Sequence, residues 1–177
     1  PVEINSIELK DISFKYPNKS NYVFESLNFK IDKHCCIGII GDNGSGKSTF
    51  VDIILGILKP EKGKIFINGK ENNDYNLINK KIGYLPQDHL IVSDTIKKNI
   101  SLETEIDKID NHKLLSSIKS VNLNSLIDKL PDNLDTLIGK DGYRLSGGEY
   151  KKIALARLFY HDKDFLICLL YTSDAAD

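Results

Sequence analysis

Apolar residues alternate with polar ones at Ile7 and Leu9, at Ile12 and Phe14, and again at Leu27, Phe29 and Ile31, a period of two that predicts half-buried β-strands. Turn formers Pro17, Asn18, Ser20 and Asn21 separate the two groups, so the opening third reads as an antiparallel hairpin layer. The next run, residues 35–40 (CCIGII), is continuously apolar, as expected of a strand buried on both faces, and it leads straight into the glycine-rich residues 41–46. Beyond them Phe50, Ile53, Ile54, Ile57 and Leu58 repeat at helical spacing, which predicts a helix running up to Lys59 and Pro60. Residues 63–69 (GKIFING) and 81–85 read as short strands. From Ser93 the period turns helical, through Leu114, Ile118 and Val121, then Leu123, Leu126, Ile127 and Leu130, and finally Ile153, Ala156, Leu158 and Phe159. A helical insertion over residues 93–160 follows from this, with a new apolar strand starting at Phe165, Leu166 and Ile167.

Composition adds bounds. At 177 residues, 41% hydrophobic and 28% charged, the chain has the size and make-up of one compact domain. Its net charge of -1 supplies no field that would draw it to nucleic acid or to an anionic membrane surface, so partners have to be argued from sites. The longest apolar stretches, such as residues 165–171, fall far short of the roughly 20 residues that cross a bilayer, so any membrane spanning belongs to other segments or chains. Three cysteines, with Cys35 and Cys36 adjacent, form neither a disulfide framework nor a metal-ligand spacing and fit a reducing compartment. His34, His89, His112 and His161 are scattered and read as solvated or structural. No signal-peptide pattern opens the chain; Pro1 at the start and the absence of Met suggest a fragment or a processed N-terminus.

Residues 41–49 (GDNGSGKST) satisfy GxxxxGK[ST] between a predicted strand and a predicted helix. In that setting the backbone N–H groups of Gly41, Asn43, Gly44, Ser45 and Gly46 can turn inward around phosphate, and the helix N-terminus adds partial positive charge. Lys47 then neutralises the β and γ phosphates, and the Ser48 hydroxyl holds Mg²⁺, with Thr49 completing the loop. A second candidate anion site lies about a hundred residues on. Residues 145–149 (LSGGE) open a helical stretch, where Ser146, Gly147 and Gly148 can present a hydroxyl and unobstructed N–H groups, with Glu149 next in line.

The pair of motifs resembles the ATP-binding domain of ABC transporters, LSGGE being similar to the family's signature, and the likeness covers essentially residues 2–167. The resemblance implies an α/β fold: a P-loop NTPase core with an antiparallel β layer and a helical subdomain, C-terminally incomplete here. The expected division is a β layer with P-loop core over residues 1–92, a helical subdomain with the signature over 93–160, the start of the Walker B strand over 161–167, and a non-native tail over 168–177. The resemblance also implies ATP and Mg²⁺ as ligands, Tyr16 in SFKYPN as an aromatic that stacks on adenine, and Gln87 in GYLPQD as the Q-loop residue reaching Mg²⁺ and the attacking water. Its implied partner is a second ABC domain in a head-to-tail dimer, in which Ser146, Gly147 and Gly148 of one domain meet the γ-phosphate held by the other. Residues 82–100 and 130–149 resemble exporter-type domains, which implies transmembrane domains fused upstream or in a separate chain, a place on the cytoplasmic face of the cell membrane, and coupling through the Gln87 region and residues 136–142. No nucleic acid partner is expected. The alternatives are a non-transport ABC ATPase that clamps nucleic acid and an ATP-binding module without turnover.

The likeness fails at the end. The family pattern calls for Asp then Glu where this chain has Leu169 and Leu170, neither of which can hold a metal or accept a proton. The tail CLLYTSDAAD resembles the translation of a transposase adapter, so a non-native end and a chain inert in hydrolysis are expected.

Overall fold

The computed structural model describes residues 3–72, 78, 80–86 and 90–168. The chain divides into two compact units, the first of Pro1–Gly83 with Asp164–Ile167 and the second built on Tyr84–Lys163.

The first unit contains the sheet that the period of two predicts. Strands β1 (Ser6–Phe14), β2 (Phe24–Asp32), β3 (Lys62–Ile67) and β4 (Lys70–Glu71) form one antiparallel sheet in the order β2-β1-β3-β4. Register sets Ile7 opposite Ile31 and Leu9 opposite Phe29 on one side of β1, and Ile7 opposite Ile67 and Leu9 opposite Ile65 on the other. Cross-strand apolar pairs of this kind are what hold a sheet face together. The register shifts between Leu9 and Ile12, where Asp11 takes a positive φ of 53°, so the bulge re-aims Ile12 and Phe14 into the core. The strand start predicted at Phe165 forms β8 (Phe165–Cys168), and residues 81–85 form β5 (Ile82–Leu85), its ladder partner. Asp164 is tied within this unit at three points: its carboxylate accepts from the Ile4 N–H at 2.9 Å and faces Lys81 at 3.5 Å, while its N–H donates to the Lys81 carbonyl at 2.9 Å.

Two expectations for this unit are corrected. Helix α1 (Lys47–Ile54) stops well short of Pro60. Gly56 ends it: at φ 71° it donates to the Ile53 carbonyl at 3.0 Å while Ile57 donates to Asp52 at 2.8 Å, the paired bonds of a Schellman stop that a residue with a Cβ adopts only under strain. Ile57, counted in the apolar stripe, is accordingly exposed. The second correction concerns residues 35–40, which form no strand. Ile37 and Ile39 are about half exposed and Ile40 is 97% exposed. A strand buried on both faces needs ladder partners and covering layers, and no described strand pairs with this run.

The second unit is mainly helical, with α2 (Ile96–Ser101), α3 (Asn111–Ser120), α4 (Asn124–Ile127) and α5 (Gly147–Tyr160), plus the small ladder of β6 (Asp94–Thr95) with β7 (Leu137–Ile138). Thr95 caps α2 by accepting from the Lys98 N–H at 3.3 Å, and Asp110 caps α3 by accepting from Lys113 at 3.1 Å. The core gathers Ile96, Ile100, Leu114, Ile118, Leu123 and Ile153 among others. Phe159, expected in it, is exposed, and Tyr160 is buried instead. At 3.6 residues per turn Ile153, Ala156 and Tyr160 share a face that Phe159 leaves by one residue.

Asn99 is the polar centre of this unit. Fully buried, it accepts from the Val92 N–H at 2.9 Å and donates to the carbonyls of Val92, Asp94 and Thr95 at 2.9, 3.2 and 3.1 Å. Asn99→Ala removes all four of these bonds to part-buried backbone groups, and the expected loss is about 2–3 kcal/mol of stability. Urea unfolding followed by helical circular dichroism measures it; a loss below about 0.5 kcal/mol would contradict the role.

Candidate functional site

The glycine-rich loop crosses from residue 41 into α1 by way of Gly44 and Gly46, both left-handed at φ 83° and 94°. Ser45 donates to the Asp42 carbonyl at 3.1 Å and Phe50 to the Gly46 carbonyl at 2.8 Å, which closes the turn and starts the helix. Gly46 is the N-cap, no side chain caps the helix, and no acidic residue stands in its first turn. The orphan N–H groups of that turn are therefore left for a ligand, with the helix dipole behind them. The Lys47 ammonium folds back over the loop to the carbonyls of Gly41 and Asp42 at 2.6 and 2.8 Å, a local tether within reach of anything the loop holds. Asn43, Gly44, Ser45 and Ser48 are exposed along the same loop.

Thr49 is buried beneath it, and its hydroxyl meets the Tyr16 hydroxyl at 2.8 Å. Tyr16 also packs edge-on against Phe14, with ring centroids 5.1 Å apart at 83°. The structure thus brings Tyr16 and the glycine-rich loop together, and the hydroxyl pair is a contact that sequence spacing does not announce. Beside the loop opens a cleft of about 430 Å³ lined by Phe24, Leu27, Phe29, Ile37, Ile39 and Lys47 among others.

In the second unit Ser146 is the N-cap of α5, and it forms a reciprocal capping box with Glu149. The Ser146 hydroxyl accepts from the Glu149 N–H at 3.3 Å and donates to the Glu149 carboxylate at 2.9 Å, which also accepts from the Ser146 N–H at 2.7 Å. Those bonds, the backbone N–H first, hold the Glu149 carboxyl below its ordinary pKa. Gly147 and Gly148 stand exposed, and a Cβ built on either would meet nothing within 4 Å. Ser146 and Glu149 are thus joined to each other, while the two glycines keep an open face.

On the same helix Lys151 and Lys152 are exposed, but Arg157 is half-buried. Its guanidinium donates to the carbonyls of Asn99 at 2.8 Å and Leu90 at 2.9 Å, and desolvation lowers its pKa. Four residues after Ile153, it lies on the core side of the helix, a positional signal that its charge obscures. Gln87, Leu169, Leu170 and residues 171–177 lie outside the described residues.

The loop fits a nucleotide phosphate with Mg²⁺ on its own geometry: an uncapped helix start, a lysine able to leave its carbonyls for a stronger acceptor, and an exposed serine hydroxyl next to it.

The chain is similar to known proteins along most of its length. The family model described as "ABC transporter" matches residues 24–168. An export ATP-binding/permease protein of Rickettsia bellii is 39% identical over 94% of this chain and 29% of its own length. An ABC transporter ATP-binding protein of Bacillus subtilis is 35% identical over 85% of this chain and 26% of its own. Among solved structures, a bacterial Atm1-family ABC exporter with ATP bound superposes at a TM-score of 0.83 with 26% identity, across 95% of this chain and 29% of that one. The chain therefore spans under a third of the length of each of these relatives.

Because the lowered carboxyl belongs to a cap present only in the folded chain, its stabilisation is full above the ordinary glutamate pKa of about 4.3 and is lost as pH falls through the lowered value. Glu149→Gln keeps a reciprocal cap without the charge. The stability gap between the two proteins should be widest near neutral pH and close in acid; a gap independent of pH would rule out the charged cap.

Proposed function

The chain belongs to the ABC transporter family, and from that premise we propose that it is the ATP-binding motor portion of an exporter, using ATP with Mg²⁺ to drive association with a second such domain. The observation that carries this reading is the uncapped start of α1 at Gly46, with Lys47 folded over the loop that precedes it. Loop N–H groups of residues 41–46 cradle the β-phosphate, Lys47 exchanges its own carbonyls for β and γ oxygens, and Ser48 offers its hydroxyl to the metal. Bound Mg²⁺ supplies charge neutralisation across the β and γ oxygens. Tyr16 offers its ring to adenine, and Gln87 is assigned to the metal and the attacking water.

Ser146, Gly147 and Gly148 are assigned to the γ-phosphate of a partner domain in a head-to-tail dimer. Their role is supported by the open face over the two glycines, whose N–H groups occupy the first helical positions of α5. Transmembrane domains, upstream or in a separate chain, receive the motion through the Gln87 region and residues 136–142, which places the domain on the cytoplasmic face of the membrane. Two of the relatives are named or titled as exporters, which supports the direction of transport.

Calorimetric titration with Mg-ATP tests the first step. Lys47→Ala removes a charge-assisted bond and should weaken binding about 10- to 100-fold; equal affinities would overturn the assignment. In a full-length protein Ser146→Arg should abolish ATP-dependent dimerisation seen by light scattering while leaving nucleotide affinity within about twofold, since its role lies at the partner's nucleotide. A dimer that forms regardless of the substitution would overturn the head-to-tail role.

A further inference from the structure

We propose that Thr49 is a positioning residue for base recognition: its hydroxyl holds the Tyr16 phenol, so that the adenine platform is fixed from the same helical turn that receives the phosphates. The inference rests on the reading of Tyr16 as the residue that stacks on the base.

The Tyr16 ring is restrained at two ends. Its ring meets Phe14, itself only 5% exposed, in a T-shaped contact, and its hydroxyl lies 2.8 Å from Thr49 Oγ1. Thr49 is likewise 5% exposed, whereas Tyr16 keeps 39% of its surface open. A buried hydroxyl paired with a half-open aromatic leaves the ring face for a ligand while the polar tip is satisfied inside. A threonine in a helix has the choice of bonding its hydroxyl back to the preceding turn; here the hydroxyl reaches the tyrosine 33 positions earlier in the chain. Thr49 directly follows Ser48 in α1. One hydrogen bond thus ties the Tyr16 ring to the helix that starts at the glycine-rich loop.

A ring already held in place loses less rotamer freedom when a base stacks on it, so the tether favours ATP over the bare phosphate chain. Removing it leaves the aromatic surface intact and takes away only the ordering. Tyr16→Phe and Thr49→Val each do this from one side, and both losses report the same bond.

The test is calorimetric affinity for Mg-ATP and for Mg-tripolyphosphate, measured on the 177-residue chain, the two single variants, the double variant, Thr49→Ser and Tyr16→Ala. Tyr16→Phe and Thr49→Val should each weaken ATP binding about 2- to 10-fold, the double variant should be no weaker than the weaker single, and Thr49→Ser should restore parental affinity. Tyr16→Phe should leave tripolyphosphate binding unchanged, which a general loss of folding would not. Additive losses in the double variant, or ATP binding by Tyr16→Phe equal to the parent, overturn the tether. Tyr16→Ala separates the two levels of the argument. If it leaves the preference for ATP over tripolyphosphate intact, the stacking reading itself falls; if it removes the preference while Tyr16→Phe keeps it, stacking stands and the tether falls.

Discussion

Gly46 is the point on which the glycine-rich end of the first unit depends. Its backbone is left-handed at φ 94°, and a Cβ placed on it would lie 2.7 Å from Val23 Cγ1 and 3.0 Å from Phe24 Cζ. Two independent requirements, conformation and clearance, therefore fall on one residue, and only glycine meets both. The consequence is that the loop is seated against the start of β2 before α1 begins. The seat is reinforced from the helix side, where Phe50 packs edge-on against Phe24 and Phe29 with centroids 6.3 and 4.9 Å away. Because Thr49 is next to Phe50, the same seating brings its hydroxyl to Tyr16.

The two glycine-bearing helix starts are built on opposite electrostatic terms. At α1 nothing caps the first turn, so its N–H groups and the dipole are left uncompensated until an anion arrives. At α5 the capping box satisfies the Ser146 N–H and the Glu149 N–H internally and sets a carboxylate beside the dipole. What remains free there is the pair of N–H groups on Gly147 and Gly148. The first site has the character of a strong, self-sufficient anion cradle, the second that of a weaker contact that gains strength only when another surface supplies the phosphate and further donors. That asymmetry is what the proposed head-to-tail dimer calls for.

Local periodicity made much of this legible. The alternation at Ile7, Leu9, Leu27, Phe29 and Ile31 gives β1 and β2 with their pairing sense, and the helical spacing of Leu114, Ile118 and Val121 gives the packed face of α3 and its continuation. Misreadings arise where a second constraint competes with the period. Gly56 stops α1 inside an apolar stripe that continues past it, and Tyr160 takes the buried place assigned to Phe159 because both are aromatic and adjacent. Residues 35–40 have the composition of a buried strand, yet a strand is a relation between segments, and composition does not carry the neighbour. The same limit hides the Tyr16 to Thr49 bond and the inward course of Arg157: each depends on a residue far along the chain.

Arg157 also bears on how the second unit responds to force. The segment from Leu90 to Thr95 is held from two helices at once, from α2 by the four bonds of the Asn99 side chain and from α5 by the Arg157 guanidinium, which reaches the Leu90 carbonyl and also the Asn99 carbonyl of α2. Sliding this segment over the helices would break the bonds of the buried Asn99 side chain, at about 1–3 kcal/mol for a buried polar group left unpaired. Moving segment and helices together breaks none of these bonds. A buried amide held by this many bonds favours movement of segment and helices together over gradual deformation. Local rearrangement is the costlier response, and the Arg157 guanidinium is part of the reason.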